Sequence, residues 1–188
     1  MVGKTTMDKA VLDSYLRQFA AGNQDAFRKM YDYVKDSVFY FALSIVKNYQ
    51  TAEDVLQECM LRVARKTEKY EPGTNPKAWL FSITRNLCNN ALNSPYNRTL
   101  PLEEAQSLAD TQADMVKSTE EADMVLAALQ ILTAKEREVV SLHVYAGFKQ
   151  TEIAEILQIP YVRVRSRYKS AVVKLREYFI KVNYEIRK

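Results

Sequence analysis

Apolar residues recur every three or four positions along almost the whole chain, and the one long stretch where that rhythm stops, Ser94 to Lys117, divides it in two. A repeat near 3.6 predicts amphipathic helices. It covers roughly Met7 to Ala21 and Ala26 to Lys47, with Gly22 and Asn23 as break and N-cap between them. A third helix is expected to open at Thr51, where Thr-Ala-Glu-Asp makes a capping-box pattern with Asp in place of Glu, and to reach about Lys69. In "KYEPGTNPKAW" the chain turns at Pro72 and Gly73, and Asn75 with Pro76 then reads as the N-cap and first residue of a fourth helix ending near Asn93. Helical signals resume at about Ser118. Thr133 with Glu136 forms a second capping box for a helix that ends at Gly147, followed by Gln150 to Leu157 and a last helix from Pro160 to about Val182.

With only four glycines and five prolines in 188 residues there is little material for the tight turns of an all-β or α/β fold. The expected class is therefore all-α, as two small helical domains: residues 1–93, a flexible linker over 94–117, and residues 118–188. The linker region is acidic, with 1 basic and 7 acidic residues from Pro101 to Met124, whereas Lys149 to Lys188 carries 10 basic and 4 acidic. One end suits a polyanion and the middle does not. Cys59 and Cys88 are too far apart for a metal motif and read as buried thiols. The longest apolar run, Val38 to Val46, is far short of a membrane span and the N-terminus lacks a signal-peptide pattern, so a cytosolic protein without membrane insertion is expected.

Enzyme chemistry lacks its parts. The "VGKTT" near the start ends like a phosphate-binding loop, but the pattern needs an earlier glycine and a preceding strand. The single histidine, His143, falls on a helix with no nucleophile elbow or ligand cluster, and is expected to face solvent or DNA phosphate. No cofactor, metal or small-molecule substrate is implied.

A short helix, a turn at Gln158 to Pro160, and a longer helix with basic residues at its N-terminal end follow the helix-turn-helix order, in which the second helix enters the major groove. On a helical wheel Val164, Tyr168, Ala171, Val172, Leu175 and Phe179 form the core stripe. Arg163, Ser166, Ser170 and Lys174 lie opposite, with Lys169 to one side and Arg165 and Arg167 flanking. Arg165, Arg167 and Lys174 suit phosphate contacts, and Arg163, Ser166, Lys169 and Ser170 suit base reading. In the Thr51 helix, Val55, Leu56, Cys59, Met60 and Val63 form a core stripe, while Leu61 sits among Asp54, Glu58 and Arg65 on the other face. A leucine ringed by charge suits a protein partner.

Three segments, "AEDVLQECMLRV", "AWLFSITRN" and "EIAEILQIPYVRVRSR", in this order and separated by a linker, resemble the extracytoplasmic-function sigma factors of bacterial RNA polymerase. The resemblance spans about Ala26 to Tyr178. It implies an alternative sigma factor that binds core RNA polymerase (beta-prime clamp and beta flap), promoter DNA and a dedicated anti-sigma factor. By the same resemblance Asp54, Gln57, Glu58, Leu61 and Arg62 would dock on the clamp. Tyr70, Trp79, Arg85 and Asn86 match the reader of the melted minus-ten strand, where an aromatic can stack on an extruded base. Arg163, Ser166, Lys169 and Ser170 match the minus-35 reading positions. Two departures stand out: Val162 and Arg163 replace the usual Gly-Thr pair, and Lys149, which has no acceptor, replaces a capping Ser or Thr. The alternative is a stand-alone helix-turn-helix regulator, which would bind duplex operator by itself.

Overall fold

A computed structural model of the chain describes residues 7–67, 70–71, 73–94 and 126–186, with side chains as far as residue 182. The expected linker beyond Ser94, the onset of helix near Ser118, residues 2–6, Lys69 and Pro72 lie outside the described residues. Among the described residues the regular structure is helical: α1 (Lys9–Ala20), α2 (Gln24–Val46), α3 (Tyr49–Lys66), α4 (Pro76–Asn93), α5 (Ala134–Val144), α6 (Gln150–Leu157) and α7 (Tyr161–Ile186). A further helical segment covers 126–130. The chain falls into two compact units, one built on α1 to α4 and the other on α5 to α7.

In the first unit α2 is the central element and packs against α1, α3 and α4. Its Met30, Val34 and Val38, spaced one turn apart, are fully buried. Phe41 meets Phe81 of α4 edge to face, with ring centroids 5.3 Å apart. From α3 come Ala52, Val55, Cys59 and Val63, and α1 adds Leu12 and Leu16. Cys59 Sγ lies 3.3 Å from Thr84 Oγ1, and the threonine hydroxyl in turn donates to the Leu80 carbonyl. The thiol therefore donates to the hydroxyl oxygen, and burial pushes its pKa up to about 11. Such a thiol is packing, not redox chemistry.

The start of α3 differs from the expectation. Its N-cap is Asn48, whose Oδ1 accepts from both the amide (2.8 Å) and the hydroxyl (3.0 Å) of Thr51. Thr51 is thus the third helical residue, and its hydroxyl is used as a donor instead of a capping acceptor. Lys47, in the left-handed region at φ 59°, ends α2 one residue earlier. The α2 to α3 reversal is accordingly made without glycine.

In the second unit α5, α6 and α7 pack pairwise around Val139, Leu142, Phe148, Ile153, Val164 and Ala171. The Thr133 and Glu136 capping box is present in both directions, with Thr133 N–H donating to Glu136 Oε2 at 2.9 Å and Glu136 N–H to Thr133 Oγ1 at 3.3 Å. Arg137, also buried, donates to the carbonyls of Leu129 and Leu132 at 2.9 and 2.8 Å and so closes the end of the preceding helical segment. At α6, Lys149 supplies no side-chain cap, but Glu152 accepts its backbone N–H at 2.8 Å, which is the reciprocal half of a capping box. Gln158 at φ 53° ends α6, and the Pro160 carbonyl accepts from the amides of Arg163 and Val164 to begin α7.

The buried side of α7 is the one the wheel reading gives, except at Val172. Val164 and Ala171 are fully buried and Tyr168, Leu175 and Phe179 half-buried, while Val172 is 37% exposed and Arg167, Lys174 and Tyr178 are half-buried beside the stripe. Lys174, which the wheel places opposite the stripe, is half-buried because the carboxylate of Glu136 draws it toward α5.

Candidate nucleic-acid interface

Residues of α7 divide by what they touch. Arg163, Arg165, Ser166 and Lys169 are exposed on its N-terminal half, and Arg167 is half-buried. Ser170 and Lys174 are different, because each also has a partner on α5 that the sequence reading does not include. Ser170 Oγ donates to Glu136 Oε1 at 2.6 Å, and Lys174 Nζ reaches the two carboxylate oxygens at 2.9 and 2.8 Å. These contacts secure the helix to α5. Burial raises the Glu136 pKa, but the bonds from Lys174, Ser170 and Thr133 outweigh it and hold the carboxyl down at about 2. His143 too has a partner outside the sequence reading. Its Nδ1 lies 2.8 Å from the Phe148 carbonyl, which can only accept, so Nδ1 carries the proton. The ring meets Tyr168 of α7 edge to face at 5.0 Å. The imidazole therefore braces the turn from α5 into α6 against the long helix.

On α3, Asp54, Gln57 and Leu61 are exposed, the leucine by 50%. Glu58 and Arg62 beside it are half-exposed and paired, Nε to Oε1, at 2.8 Å. One apolar side chain thus stands within a polar rim on the face opposite Val55, Cys59 and Val63.

The loop before α4 is anchored from outside itself. Asn75 accepts from the Ala78 amide at 3.1 Å, and Pro76 begins the helix. Tyr70 is only 9% exposed, and its ring packs on Trp79 with centroids 5.5 Å apart. Its hydroxyl donates to Asp13 Oδ1 of α1 at 2.6 Å. The Gly73 amide points at the same oxygen at 3.4 Å, and Arg17 Nε pairs with Oδ2 at 2.7 Å. The Tyr70 bond, then the Gly73 and Arg17 contacts, hold the Asp13 pKa below the usual carboxylate value against burial. Burial and the same bond push Tyr70 up to about 12. Trp79 and Arg85 are half-exposed and Asn86 is exposed. Asp13 escaped the sequence reading because its partner is 57 positions away, with only an ordinary Asp-Arg helical pair to mark it.

A short helix, a tight turn and a long helix with an outward basic face are the features of a helix-turn-helix DNA-binding protein. Residues 30–96 match sigma-70 region 2, and residues 128–177 match sigma-70 region 4. The chain is 30% identical over 176 residues to RNA polymerase sigma factor CarQ of Myxococcus xanthus, an alignment covering 91% of this chain and 99% of that one. It is 26% identical over 172 residues to ECF RNA polymerase sigma factor SigK of Mycobacterium tuberculosis, covering 88% and 91%. Probable RNA polymerase sigma factor RfaY of Xanthomonas campestris pv. campestris is 30% identical, and there the match covers 91% of this chain but spans 44% of the relative's length. Among solved structures, sigma factor RpoE of Bartonella quintana, crystallised with the anti-sigma factor NepR, has a TM-score of 0.60 at 25% identity, covering 80% of this chain and 94% of that one.

The chain belongs to the sigma-70 family of RNA polymerase sigma factors, within its extracytoplasmic-function group. It acts as an alternative sigma factor in transcription initiation. Sigma factors are initiation factors and leave the catalysis to the polymerase. No described helix is long and apolar enough to cross a membrane.

Proposed function

We propose that the chain joins core RNA polymerase through the exposed face of α3 and reads a promoter at two places. Asp54, Gln57, Glu58, Leu61 and Arg62 form the polymerase-docking face, with Leu61 as its apolar centre. The Tyr70 to Trp79 loop and α4 capture an extruded base of the melted minus-ten strand, with Trp79 to stack and Arg85 and Asn86 for backbone and base edge. The first half of α7 enters the major groove of the minus-35 duplex, where Arg163, Ser166 and Lys169 read and Arg165 and Arg167 hold phosphates. Ser170 and Lys174 set the angle of that helix. The observation that carries this reading is the division of α7 into an outward basic half and a half tied to Glu136, because a reading helix must be both accessible and rigidly mounted.

The two domains and their link are proposed at residues 1–93, 94–117 and 118–188, in a cytoplasmic protein with no catalytic role of its own. The acidic link would run toward the polymerase's active-site and RNA-exit channels, its charge imitating nucleic acid. The relative from Bartonella quintana binds an anti-sigma factor, and a comparable inhibitor covering the α3 or α7 face is proposed here.

Sigma-free bacterial core polymerase titrated with the purified chain, followed by run-off transcription on genomic fragments, tests the reading. Tight binding with new discrete start sites supports it. A folded chain that binds duplex DNA alone and ignores core polymerase replaces it with a stand-alone regulator.

A further inference from the structure

The part of the first unit with no assigned task is α1, which lies ahead of the segment matching sigma-70 region 2. Its Asp13 is an unexpected residue near a surface meant for nucleic acid, since a bare carboxylate repels phosphate. Here the charge is offset by Arg17 on one oxygen, while the other oxygen takes two donors from the loop before α4, the Tyr70 hydroxyl and the Gly73 amide. Those donors lie on either side of the turn. Gly73 sits at φ +87°, a conformation that side-chain-bearing residues rarely adopt, and this helps aim its amide at α1. Beyond it, Asn75 caps α4 and Trp79 lies in the helix's first turn against the Tyr70 ring. The tyrosine's polar end is thus committed inward, and its ring backs the tryptophan instead of meeting solvent.

We propose that Asp13 is a positioning residue for strand capture: from α1 it clamps Tyr70 and Gly73, so that the loop and Trp79 are already in place when the melted strand arrives. This rests on the minus-ten role proposed above for that loop. A loop ordered before binding carries no ordering entropy into the complex, whereas a loose one subtracts that entropy from affinity.

The test uses holoenzyme assembled from core polymerase and the full chain, with a single-stranded minus-ten oligonucleotide from the run-off promoter. The base expected to be extruded is replaced by 2-aminopurine, whose fluorescence is quenched when it stacks on Trp79. Asp13→Ala and Tyr70→Phe should each weaken strand binding by about tenfold, as expected for a lost hydrogen bond to a charged group. The double variant should lose no more than the worse single one, because both delete the same bond. Asp13→Asn, which keeps an acceptor oxygen for the tyrosine, should recover part of the loss. At saturation the quenching should also be smaller in Asp13→Ala, while affinity for core polymerase and for minus-35 duplex stays at the unsubstituted level. A merely structural role would lower those affinities too, and that result would overturn the proposal. Tyr70→Phe removes one oxygen atom and keeps the test open if Asp13→Ala does not fold. Should Trp79→Ala and Asn86→Ala cripple capture while Asp13→Ala and Tyr70→Phe bind like the unsubstituted chain, the clamp alone is refuted. Should Trp79→Ala and Asn86→Ala leave capture intact, the minus-ten assignment of the loop falls, and the proposal with it.

Discussion

Changing Glu136 to Gln removes the charge from the carboxylate that joins α5 to α7. In the folded unit the bonds from Lys174, Ser170 and Thr133 overcome burial and hold this carboxyl at about 2, against a reference of 4.5. A lowered folded-state pKa stabilises wherever the unfolded carboxyl is ionised. The contribution is therefore complete above about pH 4.5 and disappears as the pH falls through about 2. That difference is worth about 3 kcal/mol at neutral pH, and because the Lys174 side chain is 39% exposed, screening reduces it to roughly 2 kcal/mol. Near pH 3 roughly half should remain. Trp79 is the chain's one tryptophan and lies in the other unit, so its fluorescence serves as a control. Amide hydrogen exchange in α5 and α7 of the full-length chain reports the effect. Glu136→Gln should speed exchange there by about thirtyfold at pH 7, with a clearly smaller ratio at pH 3. An equal ratio at the two pH values would refute the charge argument, and no effect at pH 7 would refute the pairing itself.

Four further outcomes are expected. Leu61→Asp should abolish binding to core polymerase in a pull-down or titration while circular dichroism stays unchanged, since the leucine is half exposed and its loss leaves the core untouched. Arg163→Ala should relax selectivity at one base pair of the minus-35 element by about 1–3 kcal/mol if the guanidinium is bidentate to guanine, and competition binding on single-base variants would instead show uniform weakening for a phosphate contact. Asn48→Ala should destabilise the first unit by about 1 kcal/mol in urea unfolding, with Thr51→Ala costing less, because the asparagine is the acceptor. The Cys59 thiol, buried and raised to about 11, should resist thiol reagents at pH 8 until denaturant opens the first unit, so rapid labelling of folded protein would contradict its burial.

The helices were legible because each repeats its apolar residues at a spacing that the fold then buries: Met30, Val34 and Val38 are one such run, and Val55, Cys59 and Val63 another. The capping pair Thr133 and Glu136 was legible for the same local reason. What the sequence does not show is where a residue answers to something distant. Glu136 has its local role as predicted, but its partners Ser170 and Lys174 are 34 and 38 positions away, and no wheel drawn on α7 alone could turn Lys174 inward. The inward bond of His143 is invisible in sequence because its acceptor is a backbone carbonyl, which leaves no trace in side-chain pattern. At α3 two capping candidates stood three residues apart, and only geometry decides that Asn48 accepts while Thr51 donates. In the docking and reading faces, residue types and spacing carried the reading as far as exposure. The commitment of Ser170, Lys174 and Tyr70 to inward partners is a tertiary fact.

The Asn48 cap has a consequence for how the α3 face can vary. It sets the starting phase of a helix in which each residue turns the next by about 100°. Leu61 faces outward, and Cys59 and Met60 inward, because of how many residues separate them from that cap. One inserted residue would swing the leucine to the side of the helix, put the methionine in the leucine's outward place and the cysteine in the methionine's. The outer face can thus be rewritten by substitution, changing which surface it fits without disturbing the bundle, while its length from the cap is closed to change.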